Sequence, residues 1–196
     1  MISFTIWEFS VWDLCYSPNG HHLVVAGGNS VHVHRAECGT LIKALKGHKD
    51  VVVCVDYSFD GSFFASGSLD RCVIVWKAAT FEGFLKYTHN ESIQALSFNP
   101  KVSLLASSAV GDIGFWAPDQ KSVTKTKVPY RALTLSWTSD GNLLAVGLQN
   151  GSISVRKQDG TEVTTINRNT SQMIWDLKWN FLRFVYTQLY NYNMKF

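Results

Sequence analysis

Residues 46–61, KGHKDVVVCVDYSFDG, place one His, three Asp and one Cys within sixteen positions. These types support three chemistries. A His beside a carboxylate and a hydroxyl can activate a nucleophile. His, Cys and Asp can ligate a metal. The same groups, buried between strands, can satisfy one another and hold a sheet together. The elements that position them decide among the three.

The catalytic arrangement needs a nucleophile beside His48, and Ser66 is the candidate. It lies in the middle of the apolar run SFFASGS, as a buried strand residue with no oxyanion hole. Metal binding fares no better. The four cysteines, Cys15, Cys38, Cys54 and Cys72, form no CxxC pair. His32 and His34 put two rings on one strand face near His21, His22, Cys15 and Cys38, but without zinc-type spacing or a completing carboxylate pair. Gly27-Gly28 reads as a turn, since no helix follows to hold a phosphate. No catalytic, cofactor-binding or metal-ligating residue is expected.

Composition sets the frame. The 196 residues are 46% apolar and 17% charged, with seven Trp, seven Tyr and twelve Phe, which suits a β-rich packed core. The net charge is +3, and no Lys/Arg cluster has interleaved aromatics, so nucleic acid is not an expected partner. No apolar run reaches the ~18 residues of a membrane span, and MISFTIWEFS lacks the basic and long apolar regions of a signal peptide. The thiols read as reduced, in a reducing compartment.

A repeat organises the chain. The stretches 11–35, 53–77, 93–117 and 132–157 each read as an alternating strand, a turn, an apolar strand, a second turn and a third strand. The Ala of the second strand falls at 26, 65, 106 and 145, and the third strand ends at His34, Trp76, Trp116 and Arg156. Both anchors give a period near forty. A fourth strand follows each time, at 40–45, 83–87, 122–127 and 162–166. Four short strands per forty residues is a propeller blade, which buries its faces only by stacking on neighbours. The fold class is therefore all-β: a partial propeller of about four blades plus the first strand of a fifth. The blades span about 11–46, 47–88, 89–128 and 129–170, the next begins at 171–180, and the whole occupies 1–180. Residues 181–196 form an atypical tail, with six aromatics in sixteen residues and no Gly or Pro. An open arc of this kind exposes strand edges and blade faces, and is expected to be prone to aggregation.

The unit LKGHKDVVVCVDYSFDGSFFASGSLDRCVIVWK resembles a WD repeat through Gly47-His48, Asp60-Gly61, Ser66-Gly67-Ser68, Asp70 and Trp76. The resemblance implies that His48, Ser66, Asp70 and Trp76 form one structural hydrogen-bond network. Part of it recurs in unit three as His89, Ser107 and Trp116. There Asp112 lies four residues before the Trp rather than six, so only unit two reads as complete. Unit four has Val128, Asn150 and Arg156 at the corresponding places, and unit one has Phe9 and His34.

More specific stretches, including KYTHN at 86–90 and the Trp116-x-Pro-x-Gln-Lys-Ser run, resemble the N-terminal propeller of the intraflagellar transport protein 122 family. That resemblance implies a non-catalytic scaffold within complex A, acting in retrograde ciliary transport and receptor trafficking, in the cytoplasm, cilium and ciliary base. Its partners would be other protein subunits, with no small-molecule substrate and no membrane insertion. A vesicle-coat adaptor shares the layout and is the alternative. The loops before each first strand and after each second strand share one rim. Lys49, Asp50, Leu69, Arg71, Asn90 and Glu91 lie there as candidate partner contacts.

Overall fold

The computed structural model describes residues 10–118, 122–167, 172–179 and 185–188. The first sheet contains β1 (Val11–Tyr16), β2 (His22–Gly27), β3 (Ser30–Arg35) and β4 (Leu41–Lys46). The second contains β5 (Val52–Tyr57), β6 (Phe63–Ser68), β7 (Cys72–Lys77) and β8 (Glu82–Thr88). The third contains β9 (Ile93–Phe98), β10 (Leu105–Ala109), β11 (Asp112–Ala117) and β12 (Ser122–Lys127). The fourth contains β13 (Ala132–Trp137), β14 (Leu143–Leu148), β15 (Ile153–Lys157) and β16 (Glu162–Ile166). Each is a four-stranded antiparallel meander in chain order, and the four sheets do not close into a ring. Among the described residues no helix is long and apolar enough to cross a membrane.

One hairpin turn is built the same way three times. Ser17, Ser58 and Thr138 each donate a hydroxyl hydrogen bond to the Asn19, Asp60 or Asp140 side chain, at 2.7, 2.7 and 2.6 Å. The same hydroxyls accept from the first amides beyond the turn, His22, Phe63 and Leu143. The glycine that follows, Gly20, Gly61 or Gly141, takes φ +73°, which Asn-Gly and Asp-Gly sequences favour. Unit three uses Asn99-Pro100 instead, and Asn99 reaches the neighbouring sheet by donating to the Gly141 carbonyl at 2.7 Å.

These turns fix the register and correct one anchor. Ala65, Ala106 and Ala145 face Asp56, Ser97 and Ser136, two residues from each turn. The matching residue in unit one, opposite Cys15, is Val24, not Ala26. Ala26 lies two residues beyond Val24, yet its step of 39 to Ala65 is as near to forty as the register step of 41 from Val24, so it imitates the repeat position. The other anchor stands: His34, Trp76, Trp116 and Arg156 hold one register place. Phe9 lies outside the described residues.

The core sits between sheets. Val24, Val31 and Val33 pack with Val55, Phe64 and Trp76 across the first interface. Cys54, Val73 and Val75 pack with Ile93, Phe98 and Leu105 across the second. Ile113 and Phe115 pack with Leu135, Trp137 and Leu144 across the third, and Ala145 and Val155 pack with Ile174 and Leu177 across the fourth. Apolar area is thus removed from water by stacking rather than within any one blade. Trp12, Leu14 and Tyr16 of β1 remain exposed.

The last pair departs from the sequence reading, in which the strand pattern stops at Asn180. β17 (Asp176–Trp179) pairs antiparallel with β18 (Val185–Gln188), so strand pairing continues into the stretch set apart as a tail. The rest of that stretch lies outside the described residues.

Candidate functional site

Unit two assembles its four polar residues into one directed chain. The Trp76 indole N–H donates to Ser66 Oγ at 2.9 Å. Ser66 donates in turn to His48 Nε2 at 2.8 Å, and His48 Nδ1–H donates to the Asp70 carboxylate at 3.1 Å. Asp70 also accepts from the amides of Lys49, at 2.8 Å, and Cys72, at 2.9 Å. Burial pushes the His48 pKa down against the pull of Asp70, so the imidazole is neutral and has one proton to give. Burial opposes the Asp70 charge, but the two amides and the His48 ring outweigh it and hold the carboxyl below its ordinary value. Every donor in the chain has an acceptor, as a buried polar set requires.

Unit three builds the same chain, which corrects the reading that only unit two is complete. Trp116 Nε1 donates to Ser107 Oγ at 2.6 Å, Ser107 meets His89 Nε2 at 2.7 Å, and His89 Nδ1 meets Asp112 at 2.6 Å. Burial again pushes the His89 pKa down. Asp112 is the residue that counting from the Trp missed. It is the first residue of β11, whereas Asp70 sits in the turn before β7. The connection is shortened, and the carboxylate reaches the ring from the strand instead. A search for any Asp between the Ser and the Trp would have found it.

Units one and four solve the same problem differently. Arg156, at the Trp place, donates to Ser154 Oγ, the Gly160 carbonyl and Thr126 Oγ1, and pairs with Glu162 at 3.0 Å. Val128 is buried at the His place, and Asn150 turns its side chain onto Ser152. In unit one, His34 Nδ1 meets the Gly39 carbonyl at 2.9 Å.

The Ser66–His48–Asp70 order imitates a nucleophile, its base and an orienting carboxylate. Ser66 and Ser107 are both 0% exposed, and each hydroxyl is already committed to a Trp and a His. No substrate carbonyl can approach them, so the arrangement supports sheet cohesion and not acyl transfer. Among the described residues, no group of three or more His, Cys, Asp or Glu is placed to hold a metal ion. All four cysteines are free thiols.

The rim residues named from sequence lie on three consecutive loops, and all six are exposed. Lys49 and Asp50 precede β5, Leu69 and Arg71 precede β7, and Asn90 and Glu91 precede β9. The loops are stitched together: Leu69 N donates to Val51 O and His89 N to Arg71 O, each at 2.9 Å, and Ser92 Oγ donates to Leu69 O at 3.1 Å. Arg71 holds φ +70° to make its turn, where Gly151 serves in unit four at φ +84°. The sequence reading missed an apolar component. Val110, Tyr130 and Met173 lie exposed on the corresponding loops of later units, with Trp175 just before β17. Their signal was an apolar side chain at a loop position where solvated residues are ordinary.

Antiparallel four-stranded sheets stacked at a forty-residue period, with His–Ser–Asp–Trp chains inside two of them, define a WD-repeat β-propeller. The IFT122 first beta-propeller family matches residues 10–193, and the chain belongs to that family. The match runs into the stretch beyond Asn180 that the repeat pattern set apart. The chain is 48% identical over 175 residues to the intraflagellar transport protein 122 homolog of Danio rerio and 45% identical over the same length to that of Homo sapiens. These alignments take in 88% of this chain but 15% and 14% of those relatives, so the chain spans about one seventh of their length. A more distant likeness, 28% over 163 residues, is to the small ribosomal subunit protein RACK1y of Oryza sativa subsp. japonica, covering 76% of this chain and 48% of that protein.

Proposed function

We propose that this chain is a non-catalytic protein-interaction scaffold of the intraflagellar transport complex A, serving retrograde ciliary transport and the trafficking of receptors into cilia. The observation that carries the reading is membership of the IFT122 propeller family, at 45–49% identity to its homologs. The interior supports it, because its ionisable residues are spent on holding sheets together. The stitched rim of Lys49, Asp50, Leu69, Arg71, Asn90 and Glu91, widened by Tyr130 and Trp175, is the proposed partner surface. Partners are other protein subunits, met in the cytoplasm, at the ciliary base and in the cilium. No specific observation favours a vesicle-coat adaptor.

The test is to tag the chain at its own locus and purify it under native conditions. Co-purification with complex A subunits and enrichment at the ciliary base are expected. Association with coat subunits instead, or absence from ciliated structures, overturns the reading.

A further inference from the structure

Sheets two and four make the same first hairpin turn but differ in what meets it. In sheet four the Gly141 carbonyl accepts twice: from Asn99 Nδ2 of sheet three at 2.7 Å and from Gln158 Nε2 of its own sheet at 2.8 Å. Gly61 holds the matching place in sheet two, with the same φ of +73°. The next amide, Ser62 or Asn142, donates to the turn Asp at 3.1 Å in both sheets. That bond fixes the planar peptide unit and aims both carbonyls alike. Neither donor is kept in sheet two. Ser17 stands at the Asn99 place, and its hydroxyl is committed to Asn19 at 2.7 Å. Ala78 stands at the Gln158 place, directly after Lys77 as Gln158 follows Lys157.

A cleft of about 310 Å³ opens there, between the turns of sheets one and two, with Asn19, His22, Tyr57, Asp60, Gly61 and Ala78 in its lining. That is the lower end of the range for ligand clefts, about 300–1,000 Å³. Asp60 is the one carboxylate in the lining, and no Lys or Arg belongs to it. Asp60 Oδ1 takes the Ser58 hydroxyl and the Ser62 amide, but Oδ2 takes only the Ser62 hydroxyl, at 2.7 Å, so a lone pair is left for a donor. Burial opposes its charge, but the bonds from Ser58 and Ser62 outweigh it and hold the carboxyl below its ordinary value. Burial, with His21 and Arg35 nearby, pushes the His22 pKa down, so that ring stays neutral. The cleft thus presents a carbonyl without the NH₂ donors its counterpart receives, beside one negative charge.

We propose that this cleft is a docking site for an arginine side chain carried by a partner protein. One guanidinium N–H donates to the Gly61 carbonyl, as the planar side-chain amides of Asn99 and Gln158 do to Gly141, and a second meets Asp60 Oδ2 in a charge-assisted bond. A carboxamide supplies the first contact without the charge, and an ammonium supplies the charge without the planar fork. The proposal rests on the scaffold reading and gives it a second contact, on the rim opposite Lys49 and Arg71.

The probe is a blocked tripeptide, GRG, titrated into the whole 196-residue chain and followed by amide NMR shifts. Saturable shifts at Gly61, Ser62 and Ala78 are expected. Blocked GQG should bind about tenfold more weakly and blocked GKG about threefold. Asp60→Asn should weaken GRG about fivefold and keep the turn, because Asn19 holds that place in unit one. Ala78→Gln should keep the fold and lose the peptide, since it restores the donor that Gln158 gives Gly141. Asp140→Asn, the same change beside a carbonyl already occupied, should bind normally. Four results overturn the proposal: no saturable shift, GKG or GQG binding as tightly as GRG, undiminished binding by Ala78→Gln, or equal weakening by Asp140→Asn. Ala78→Gln is also carried through the native purification and should lose at least one subunit. If it keeps every complex A subunit that the unaltered chain recovers, the cleft proposal fails alone. If the unaltered chain recovers none, the scaffold reading fails first.

Discussion

Sheets two and three are braced from within by neutral chains that end on a carboxylate, whereas sheet four is braced by a guanidinium. At one register place the protein uses Trp76, Trp116 and Arg156, and at the place before the first strand it uses His48, His89 and Val128. Both solutions leave the buried donors satisfied. They differ in where their free energy comes from. The Trp chains combine a large buried apolar surface with short hydrogen bonds between fully enclosed groups. The Arg cluster ends on Glu162, whose side chain is 45% exposed, so solvent screens the ion pair. Identical backbone geometry therefore tolerates two chemistries, provided each completes its own hydrogen bonds.

The comparison breaks most sharply at the aromatic. Trp76→Ala should destabilise the chain by about 3–5 kcal/mol, the range for emptying a buried aromatic site, read from chemical denaturation midpoints. Arg156→Met should cost far less, because an apolar side chain of similar length fills the site and leaves a carboxylate that water can reach. Equal losses would show that burial, not the type of chain, sets stability. Ser66→Ala and Ser107→Ala come next. Each strands a Trp N–H and a His Nε2 in the interior, for about 2–4 kcal/mol, while Ser154→Ala, which removes one of Arg156's several acceptors, should cost under about 1 kcal/mol.

Much of this was legible in the chain itself. The third-strand anchor is readable because an aromatic or long cation ends each strand before an exposed loop. The unit-two network is readable because all four of its residue types are present at ordinary spacing. Two features misled. Ala26 mimics the repeat position because, two residues past the register place at Val24, it still falls 39 residues before Ala65, as near to forty as the true step of 41. Asp112 is hidden because counting assumes a fixed turn length, and the carboxylate needs only to reach the ring. The apolar rim residues were not legible, since exposure depends on which strand lies next door.

Acidification separates the two carboxylate environments. Burial raises the Asp56 pKa to about 6, partly offset by hydrogen bonds from the amides of Phe98, at 2.7 Å, and Tyr57, at 2.9 Å. A folded value above the unfolded one means that its stability contribution is present below the ordinary 3.8 and is lost as pH rises through about 6. That change is on the order of 3 kcal/mol. His48 and His89 have the opposite sign. Their folded values are depressed below 6.5, so their contribution is full above that pH and falls away as pH drops beneath it. Denaturation midpoints measured from pH 4 to 7 should therefore show two opposing slopes. Asp56→Asn should shrink the component that declines toward neutral pH, leaving the part due to Asp13, whose carboxyl burial also pushes up, and keep the histidine component. It should also be less stable than the unaltered chain at pH 4, because one of the two amides then faces an NH₂ group. An unchanged profile in Asp56→Asn would place that slope elsewhere in the molecule.

The smallest effect tests the Arg cluster itself. Glu162→Gln removes the charge but keeps an acceptor for Ser154 and Arg156, which now reach it at 2.9 and 3.0 Å. The guanidinium retains the Gly160 carbonyl, and the donor that loses its acceptor is the exposed Thr165 hydroxyl, which water can satisfy. A loss under about 1 kcal/mol is expected, and the stability difference between the two proteins should shrink as salt rises from ~0.01 to ~1 M and the Debye length falls from ~30 to ~3 Å. The Ser66 chain carries no ion pair while His48 is neutral, so the cost of Ser66→Ala should stay flat over the same salt range. If both differences respond alike, screening does not distinguish the two bracing schemes, and the contrast between sheets reduces to the volume of apolar surface that each side chain buries.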